Sequence, residues 1–291
     1  MQVEVAKDCG FCFGVKRAVE KTEQVLANSP KGTVHSVGHL IHNPPTIERL
    51  EQGGLNVVDD LSEIEGGGTA LIRAHGLPPK SIQEAQDRGL ELLDLTCPLV
   101  VREQRIIREL LKDRYEIVIL GEPEHPEVKS LFGFSEGKAH IVRGPDDVDA
   151  LKLLGRRVAF LSQSTQGMGQ FVRTVDRLER TQKYLELRIF NTICFETIKM
   201  QKSTAELARE VDVMVVIGGR NSANTKELVE LCRSHHVRSY HIETAAELNP
   251  SWFDGIERCG LTAGASTPDW AIREVREAIE RVGSQVELKV K

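Results

Sequence analysis

Three cysteines occupy equivalent places along the chain, each where an apolar strand pattern runs into a helical pattern. They are Cys12 in GFCFGVKRA, Cys97 in DLTCPLV and Cys194 in NTICFET. A thiolate at a helix N-terminus has a lowered pKa and is ready to bind metal. Structural zinc sites favour local Cys-x-x-Cys pairs and four ligands. Three separated thiolates instead suit an iron–sulfur cluster in which one iron lacks a protein thiolate.

Two polar positions follow each cysteine at matched intervals. Thirty residues beyond the three cysteines stand His42, Glu127 and Asn224. A second position, 63 to 72 residues beyond them, holds His75, Ser164 and Ser266. The agreement in residue chemistry, in addition to spacing, predicts a threefold internal repeat.

Small polar residues beside glycines indicate an anion site. Ser222, Asn224 and Ser266 lie in GGRNSANT and TAGASTPD. Hydroxyls, backbone N–H groups and helix N-termini together bind phosphate, although the same residues would also serve as ordinary helix caps.

The histidines and one carboxylate complete the candidate chemistry. His42, His75 and His125 all fall in turns that follow strand patterns, and this repeated placement favours a binding role over ordinary packing. Glu127 is the one carboxylate at a matched position. Among histidines it could act as a proton relay, or it could simply favour the start of a helix.

Short apolar runs alternate with helical patterns and must position these residues. Runs such as EIVILGEPEH, RVAFLSQST and DVMVVIGGRN indicate parallel α/β units. Ligands bind at the carboxyl ends of parallel strands, so three such modules would converge on one site. The prediction is an α/β fold of three similar modules with parallel sheets, in a pseudo-threefold arrangement around a central iron–sulfur site. The predicted modules are 1–97, 98–194 and 195–291, the last with a C-terminal tail.

Composition excludes several classes of partner. The 291 residues carry a formal charge of −5, so neither nucleic acid nor a membrane is expected to bind. The start MQVEVAKDCG has no apolar signal region, and no apolar run is long enough for a membrane span. Six cysteines without a secretory signal favour metal binding or catalysis over disulfides. A cytoplasmic location is expected.

Seven motifs carry a resemblance that covers nearly the whole chain. GFCFGVKRA, HN, AHG, DLTCPLV, HPEV, GGRNSANT and TAGASTPD resemble the 4-hydroxy-3-methylbut-2-enyl diphosphate reductase family. The resemblance implies three α/β domains around one 4Fe–4S cluster. It also implies reductive dehydroxylation of the allylic diphosphate to isopentenyl and dimethylallyl diphosphates, the last step of the non-mevalonate isoprenoid pathway. Ferredoxin or flavodoxin is the implied electron donor.

The same resemblance implies a role for each site residue. Cys12, Cys97 and Cys194 would be the three cluster ligands, leaving one open iron for the substrate hydroxyl, and Glu127 would supply protons. The implied diphosphate-binding residues are His42, His75, His125, Ser222, Asn224 and Ser266, together with the backbone N–H of Ala223.

Two positions depart from the family pattern. Ser164 stands where the family commonly has Thr, and neighbouring Thr165 offers a second hydroxyl, so either could relay protons in the substrate site. Ala223 replaces the usual second Ser of an N-S-S-N pattern, which removes one hydroxyl.

The sequence leaves two other classes of function open. Cys9 and Cys12 could form a dithiol redox centre, and Cys9 is not part of the family's cluster set. The polar loops could also belong to a non-catalytic protein that binds a phosphate ligand. Cys232 and Cys259 have no comparable context and are expected in the core.

Overall fold

The computed structural model describes residues 1–64 and 67–289. Its strands are β1 (Gln2–Val5), β2 (Val34–Val37), β3 (Leu55–Val58), β4 (Thr69–Ile72), β5 (Glu91–Asp94), β6 (Glu116–Leu120), β7 (His140–Val142), β8 (Arg157–Ser162), β9 (Glu186–Ile189), β10 (Val213–Ile217), β11 (Arg238–Ile242) and β12 (Arg258–Ala263). Its α-helices are α1 (Phe13–Asn28), α2 (Pro44–Gln52), α3 (Pro79–Asp87), α4 (Pro98–Lys112), α5 (Pro126–Phe134), α6 (Met168–Thr181), α7 (Phe195–Ala208), α8 (Ala223–Ser234) and α9 (Asp269–Lys289). Short 3₁₀ helices cover Leu61–Glu63, Pro145–Ala150, Ala245–Glu247 and Pro250–Phe253.

The strands form three four-stranded sheets with one shared topology. Their orders are β3-β2-β4-β5, β7-β6-β8-β9 and β11-β10-β12-β1, and all the strand pairs are parallel. Parallel neighbours need crossover connections, which the helices supply. The predicted α/β fold with three similar parallel sheets is therefore confirmed.

The third sheet is completed by the first strand of the chain. Gln2 pairs with Arg258 and Val5 with Leu261, so β1 takes the outer place that β5 and β9 take in the other two sheets. The predicted module boundaries at residues 97 and 194 remain a prediction, and β1 lies in the sheet whose other strands all follow residue 194.

The chain divides into two compact units. A terminal unit contains 1–15, 41–47 and 195–291, and a middle unit contains 16–40 and 48–194. The terminal unit holds the sheet with β1, β10, β11 and β12, and the middle unit holds the other two sheets. Among the described residues, no helix has both the length and the apolar character needed to cross a bilayer.

The central strands of the sheets that contain β6 and β10 are buried along nearly their whole length, as expected of parallel sheets covered on both faces. All five residues of β10 are buried, and four of the five in β6 are. In the middle unit, Ile107 of α4 and Leu131 of α5 pack against Ile117 and Ile119 of β6. This packing holds the two helices against the strand whose carboxyl end carries the polar loop.

Gly121 allows the start of α5 to approach the end of β6. A Cβ at this position would lie 2.7 Å from Val128 Cγ2 and 3.0 Å from Gln163 Cβ. Gly121→Ala should therefore lower the free energy of unfolding by about 1–3 kcal/mol, measured by urea unfolding. Gly169→Ala in α6 is the matched control, because its Cβ would meet only the flexible guanidinium of Arg173. A Gly121→Ala midpoint equal to that of the control would contradict this packing argument.

Candidate functional site

Each of the three cysteines directly precedes a helix. Cys12 precedes α1, Cys97 precedes α4 and Cys194 precedes α7. Pro98 stands at the first position of α4, where its missing N–H leaves no hydrogen bond unmade. The helix therefore begins immediately after the thiol, as the sequence predicts.

The backbone of each cysteine is fixed in the same way. The N–H of Cys97 donates to the Ala74 carbonyl at 2.9 Å, and that of Cys194 donates to the Ser164 carbonyl at 2.8 Å, both within the middle unit. Within the terminal unit the N–H of Cys12 donates to the Ala265 carbonyl at 3.0 Å. Each thiol is thus tied to the segment that follows β4, β8 or β12.

The sulfur of Cys12 also accepts a hydrogen bond. The N–H of Val15, in the first turn of α1, donates to Cys12 Sγ at 3.5 Å. Backbone donors directed at sulfur stabilise its thiolate form, and they are a common feature around iron–sulfur clusters.

In the middle unit, His75 and His125 lie edge to face. Their ring centroids are 5.3 Å apart at an interplanar angle of 89°. His125 caps α5, where its Nδ1 accepts the N–H of Glu127 at 3.2 Å. In a neutral ring this places the proton on Nε2.

A small network fixes the loop that follows His75. Gln104 Nε2 donates to Ser130 Oγ at 3.1 Å, and Ser130 Oγ donates to the Leu77 carbonyl at 3.3 Å. Gly76 has a φ of +77°, and a Cβ there would lie 2.6 Å from Gln104 Nε2. The helices that follow Cys97 and His125 therefore both hold the His75 loop.

Glu127 is buried, and both of its oxygens bind Ser164. The Ser164 N–H donates to Glu127 Oε1 at 2.5 Å, and Ser164 Oγ donates to Oε2 at 2.8 Å. Burial raises the pKa of Glu127, and the two hydrogen bonds from Ser164 oppose that increase. The hydroxyl of Thr165 instead accepts from Gln163 Nε2 at 2.8 Å. Ser164 is thus the residue of the two whose hydroxyl contacts the acid.

A second buried carboxyl, that of Glu103 on α4, lies in the same neighbourhood. Its side chain is 1% exposed, and neither oxygen has a hydrogen-bond partner among the described residues. Burial raises the pKa of Glu103 well above its ordinary value, and Glu127, Cys97 and Cys194 raise it further. The charges of Glu127, Cys97 and Cys194 therefore all disfavour ionisation of this one buried acid.

In the terminal unit, α8 begins at the candidate anion loop. Ser222 is its N-cap, and its Oγ accepts the N–H of Thr225 at 3.2 Å. Capping occurs as the sequence suggests, and the Ser222 hydroxyl keeps its own proton for donation. Ala223 stands at the first helical position, and Asn224 is buried with no partner for its Oδ1 in the described chain.

Ser266 lies against the His42 loop within the same unit. Its Oγ donates to the backbone carbonyl of His42 at 3.0 Å. Asn43, the residue after His42, caps α2. Its Oδ1 accepts hydrogen bonds from the Thr46 N–H at 3.0 Å and from Thr46 Oγ1 at 2.7 Å. The turn that carries His42 is therefore fixed on both sides.

The other cysteines have environments that disfavour reactivity. Burial, with Asp269 and Asp8, raises the pKa of Cys9 to about 11. A redox dithiol needs a lowered pKa, so this environment opposes the Cys9–Cys12 alternative. Cys232 and Cys259 are fully buried, and burial raises the pKa of each to about 12. Their predicted place in the core is confirmed.

Residues 3–280 match the family model described as LytB protein. The chain belongs to the LytB family.

Curated relatives of this LytB chain share one description. The 4-hydroxy-3-methylbut-2-enyl diphosphate reductase of Geobacter sulfurreducens is 44% identical over 280 residues, covering 96% of this chain and 97% of its own length. The protein of the same name from Campylobacter lari is 40% identical, covering 96% of this chain and 98% of its own length. The resemblance found in the sequence is therefore confirmed at the level of the family.

Two solved structures of that activity share the fold. One is an (E)-4-hydroxy-3-methyl-but-2-enyl diphosphate reductase, the terminal enzyme of the non-mevalonate pathway; it matches with a TM-score of 0.68 at 38% identity, covering 97% of this chain and 100% of that one. The Plasmodium falciparum E-1-hydroxy-2-methyl-but-2-enyl-4-diphosphate reductase matches with a TM-score of 0.88 at 25% identity, covering 94% of this chain and 86% of that one.

Three residues near the site of this LytB chain were not predicted from the sequence. Glu103, Gln104 and Ser130 were not among the predicted site residues. A signal for the first two was present: they follow Val100 and precede Ile107 at helical spacing, on the face that is buried. Polar residues on an apolar face are the informative exception in such a helix.

The raised pKa of Glu103 makes the stability of the protein depend on pH. Between pH 4.5, its ordinary value, and the raised pKa, the folded protein binds more protons than the unfolded chain. The contribution of Glu103 to wild-type stability therefore falls as pH rises through this window. Glu103→Leu removes the acid, so its stability gain over wild type should grow by about 1.4 kcal/mol per pH unit there.

Urea unfolding of anaerobic protein at several pH values measures this difference. Glu109→Gln is the control, because Glu109 is exposed on the same helix, and its curve should follow wild type at every pH. A constant gap between Glu103→Leu and wild type would show that Glu103 ionises as it does in the unfolded chain.

Proposed function

We propose that this chain reduces 4-hydroxy-3-methylbut-2-enyl diphosphate to isopentenyl and dimethylallyl diphosphates. The observation that carries the proposal lies in the middle unit, where the buried acid Glu127 is hydrogen-bonded to Ser164, whose carbonyl accepts the backbone N–H of Cys194. Family membership and the names of the curated relatives support the same activity. In the reaction, the carbon–oxygen bond of the allylic alcohol breaks, a carbon–hydrogen bond forms and the oxygen leaves as water. Two electrons and two protons are consumed.

We further propose that Cys12, Cys97 and Cys194 bind one 4Fe–4S cluster. The cysteines fit such a group because each stands before a helix N-terminus with its backbone amide already bonded, and Cys12 Sγ accepts the Val15 amide. When bound, the cluster would supply electrons and, at the iron without a thiolate, Lewis acidity toward the hydroxyl. Ferredoxin or flavodoxin is the proposed electron donor, since side chains cannot supply electrons for repeated turnover. The cytoplasmic location stays a prediction.

The protein's own residues would hold the diphosphate through neutral donors and histidines. At α8, the N–H groups of Ala223 and Asn224 lie in the first turn, where the helix leaves them without intrahelical acceptors. A half-turn of the Asn224 amide would direct its NH₂ to the place where Oδ1 has no partner. Ser222 can cap α8 and donate to phosphate at once, whereas Ser266 must first release the His42 carbonyl. His42, His75 and His125 are proposed as the remaining ligands of the diphosphate.

Glu127 is the proposed proton donor, and Ser164 positions it. Burial favours the protonated acid, which is the form that can donate. After donation, the Ser164 N–H and O–H stabilise the carboxylate that remains. This arrangement supports Ser164, rather than Thr165, as the hydroxyl of the relay.

The cluster assignment is tested by replacing cysteines one at a time with Ser. The Cys12→Ser, Cys97→Ser and Cys194→Ser proteins should each lose most of their iron and sulfide after anaerobic reconstitution. Cys9→Ser is the control and should stay as brown as wild type, because its thiol has a high pKa and poor thiolate character. The assignment is wrong if Cys9→Ser empties the site as fully as Cys97→Ser does.

Turnover measured with dithionite and the allylic diphosphate, with products identified by mass spectrometry, tests the reaction and the acid together. Glu127→Gln keeps the shape of the side chain but cannot give up an acid proton. Its kcat should fall by roughly 10²–10⁴-fold, the usual span for acid catalysis, with little change in substrate affinity. Ser164→Ala should also lower kcat, whereas Thr165→Ala should not. Collapsed affinity with preserved kcat in Glu127→Gln would instead make Glu127 a binding residue.

A further inference from the structure

Arg73 is a cation at the edge of the sheet β3-β2-β4-β5, and no anion of the described chain pairs with it. The residue directly follows β4. Its Nε is shielded from solvent without a hydrogen-bond partner, and its guanidinium forms no ion pair with any described residue. Burial lowers the pKa of Arg73, but a guanidinium stays charged at neutral pH. A charge withdrawn from water without a partner is costly, so this environment favours a bound anion.

The backbone of Gly38 makes room for this guanidinium. Gly38 directly follows β2, the strand that pairs with β4. A Cβ at Gly38 would lie 2.5 Å from Arg73 Nη1. The φ of Gly38 is +70°, a conformation that also favours glycine. The charge of Arg73 therefore lies against the carboxyl end of β2, at the edge where parallel sheets bind their ligands.

The acids at this edge leave the guanidinium unpaired. Asp94 ends β5, and its Oδ1 accepts hydrogen bonds from the N–H and the hydroxyl of Thr96. Asp59 directly follows β3, and its backbone N–H donates to Glu63. Neither aspartate forms an ion pair with Arg73 in the described chain. An anion for this cation is therefore supplied by a ligand.

The chain connects Arg73 to a proposed ligand of the diphosphate. The Arg73 carbonyl accepts the N–H of Gly76 at 2.9 Å, and the turn that this bond closes carries His75. The other groups proposed for the diphosphate are amides, hydroxyls and imidazoles, none of which has a fixed positive charge at neutral pH. A guanidinium adds that charge and N–H donors that match phosphate oxygens.

We propose that Arg73 binds the diphosphate of the substrate and supplies the positive charge that its other ligands lack. This inference rests on the proposed function. Two substitutions separate a binding charge from a structural residue. Arg73→Met keeps an apolar stem without the charge, and Arg73→Lys keeps the charge without the planar donors.

Arg88→Met is the matched control. Arg88 belongs to the same unit and lies just before β5, at the opposite edge of the same sheet. Its Nη2 donates to the carbonyls of Ser62 and Ile64, at 3.3 and 2.9 Å. This guanidinium thus has the partners that Arg73 lacks. Iron and sulfide content establishes that each holoenzyme is loaded.

Calorimetric titration of the anaerobic holoenzyme with inorganic pyrophosphate measures anion affinity without turnover. Arg73→Met should raise the Kd for pyrophosphate by about 10–100-fold, because a charged hydrogen-bond donor is lost. Arg73→Lys should lose less affinity, and Arg88→Met should bind as wild type does. An unchanged Kd in Arg73→Met would overturn the inference, and so would a wild type that binds no pyrophosphate.

Urea unfolding of the same proteins without pyrophosphate should show an effect of different sign. Arg73→Met removes an unpaired, partly buried charge, so its midpoint should equal or exceed that of wild type. Arg88→Met loses two hydrogen bonds, so its midpoint should fall. If the midpoint of Arg73→Met fell as far as that of Arg88→Met, Arg73 would be a structural residue and the inference would be wrong.

Turnover with dithionite then locates the anion. In Arg73→Met, KM for the allylic diphosphate should rise by a factor similar to that for pyrophosphate, while kcat stays close to wild type. Weaker pyrophosphate binding with an unchanged KM would place the anion outside the substrate site and overturn the inference. A wild type that binds pyrophosphate through Arg73 but yields no product would contradict the proposed function alone.

Discussion

The site depends on one repeated hydrogen bond. The backbone N–H groups of Cys12, Cys97 and Cys194 each donate to a carbonyl in the segment that follows the neighbouring strand. Ala74, Ser164 and Ala265 supply these carbonyls, and the bonds fix where the chain leaves the sheet and where the next helix begins. A parallel sheet brings the carboxyl ends of its strands to one edge. The thiols and the polar loops within each unit therefore arise from one repeated piece of backbone geometry, and their side chains determine the chemistry.

Two glutamates of the middle unit, Glu103 and Glu127, are buried where the ionised carboxylate is disfavoured. Glu127 is buried yet accepts two hydrogen bonds, and Glu103 is buried with none among the described residues. The two carboxyl groups therefore differ in how easily each one ionises, and the difference comes from their environments alone. The stability lost by keeping Glu103 unpaired is consistent with a functional position, since strained or unsatisfied groups concentrate at such sites.

Much of the architecture could be predicted from the sequence because its signals are local. Buried parallel strands have apolar runs, and the helices that follow Cys97 and Cys12 have apolar stripes, so the α/β class and the strand-to-helix cysteines were correctly predicted. The place of β1 was not predicted, because its pairing with β12 joins the two ends of the chain. The choice between Ser164 and Thr165 depends on side-chain direction at one turn. Glu103 was missed because a helix pattern shows a buried face but not which neighbours surround it.

The pairing of β1 with β12 also has a consequence for how the chain folds during synthesis. Gln2 is synthesised long before its partner Arg258. Synthesis proceeds at roughly 5–20 residues per second, so about ten to fifty seconds pass before β12 is available to form backbone hydrogen bonds with β1. During that interval the middle unit can fold independently, because its strands are contiguous in sequence. Strand β1 stays unpaired until β12 has been made. Completing the sheet of the terminal unit therefore depends on a contact of long sequence separation, and nascent chains that stop before β12 would expose an edge strand open to aggregation.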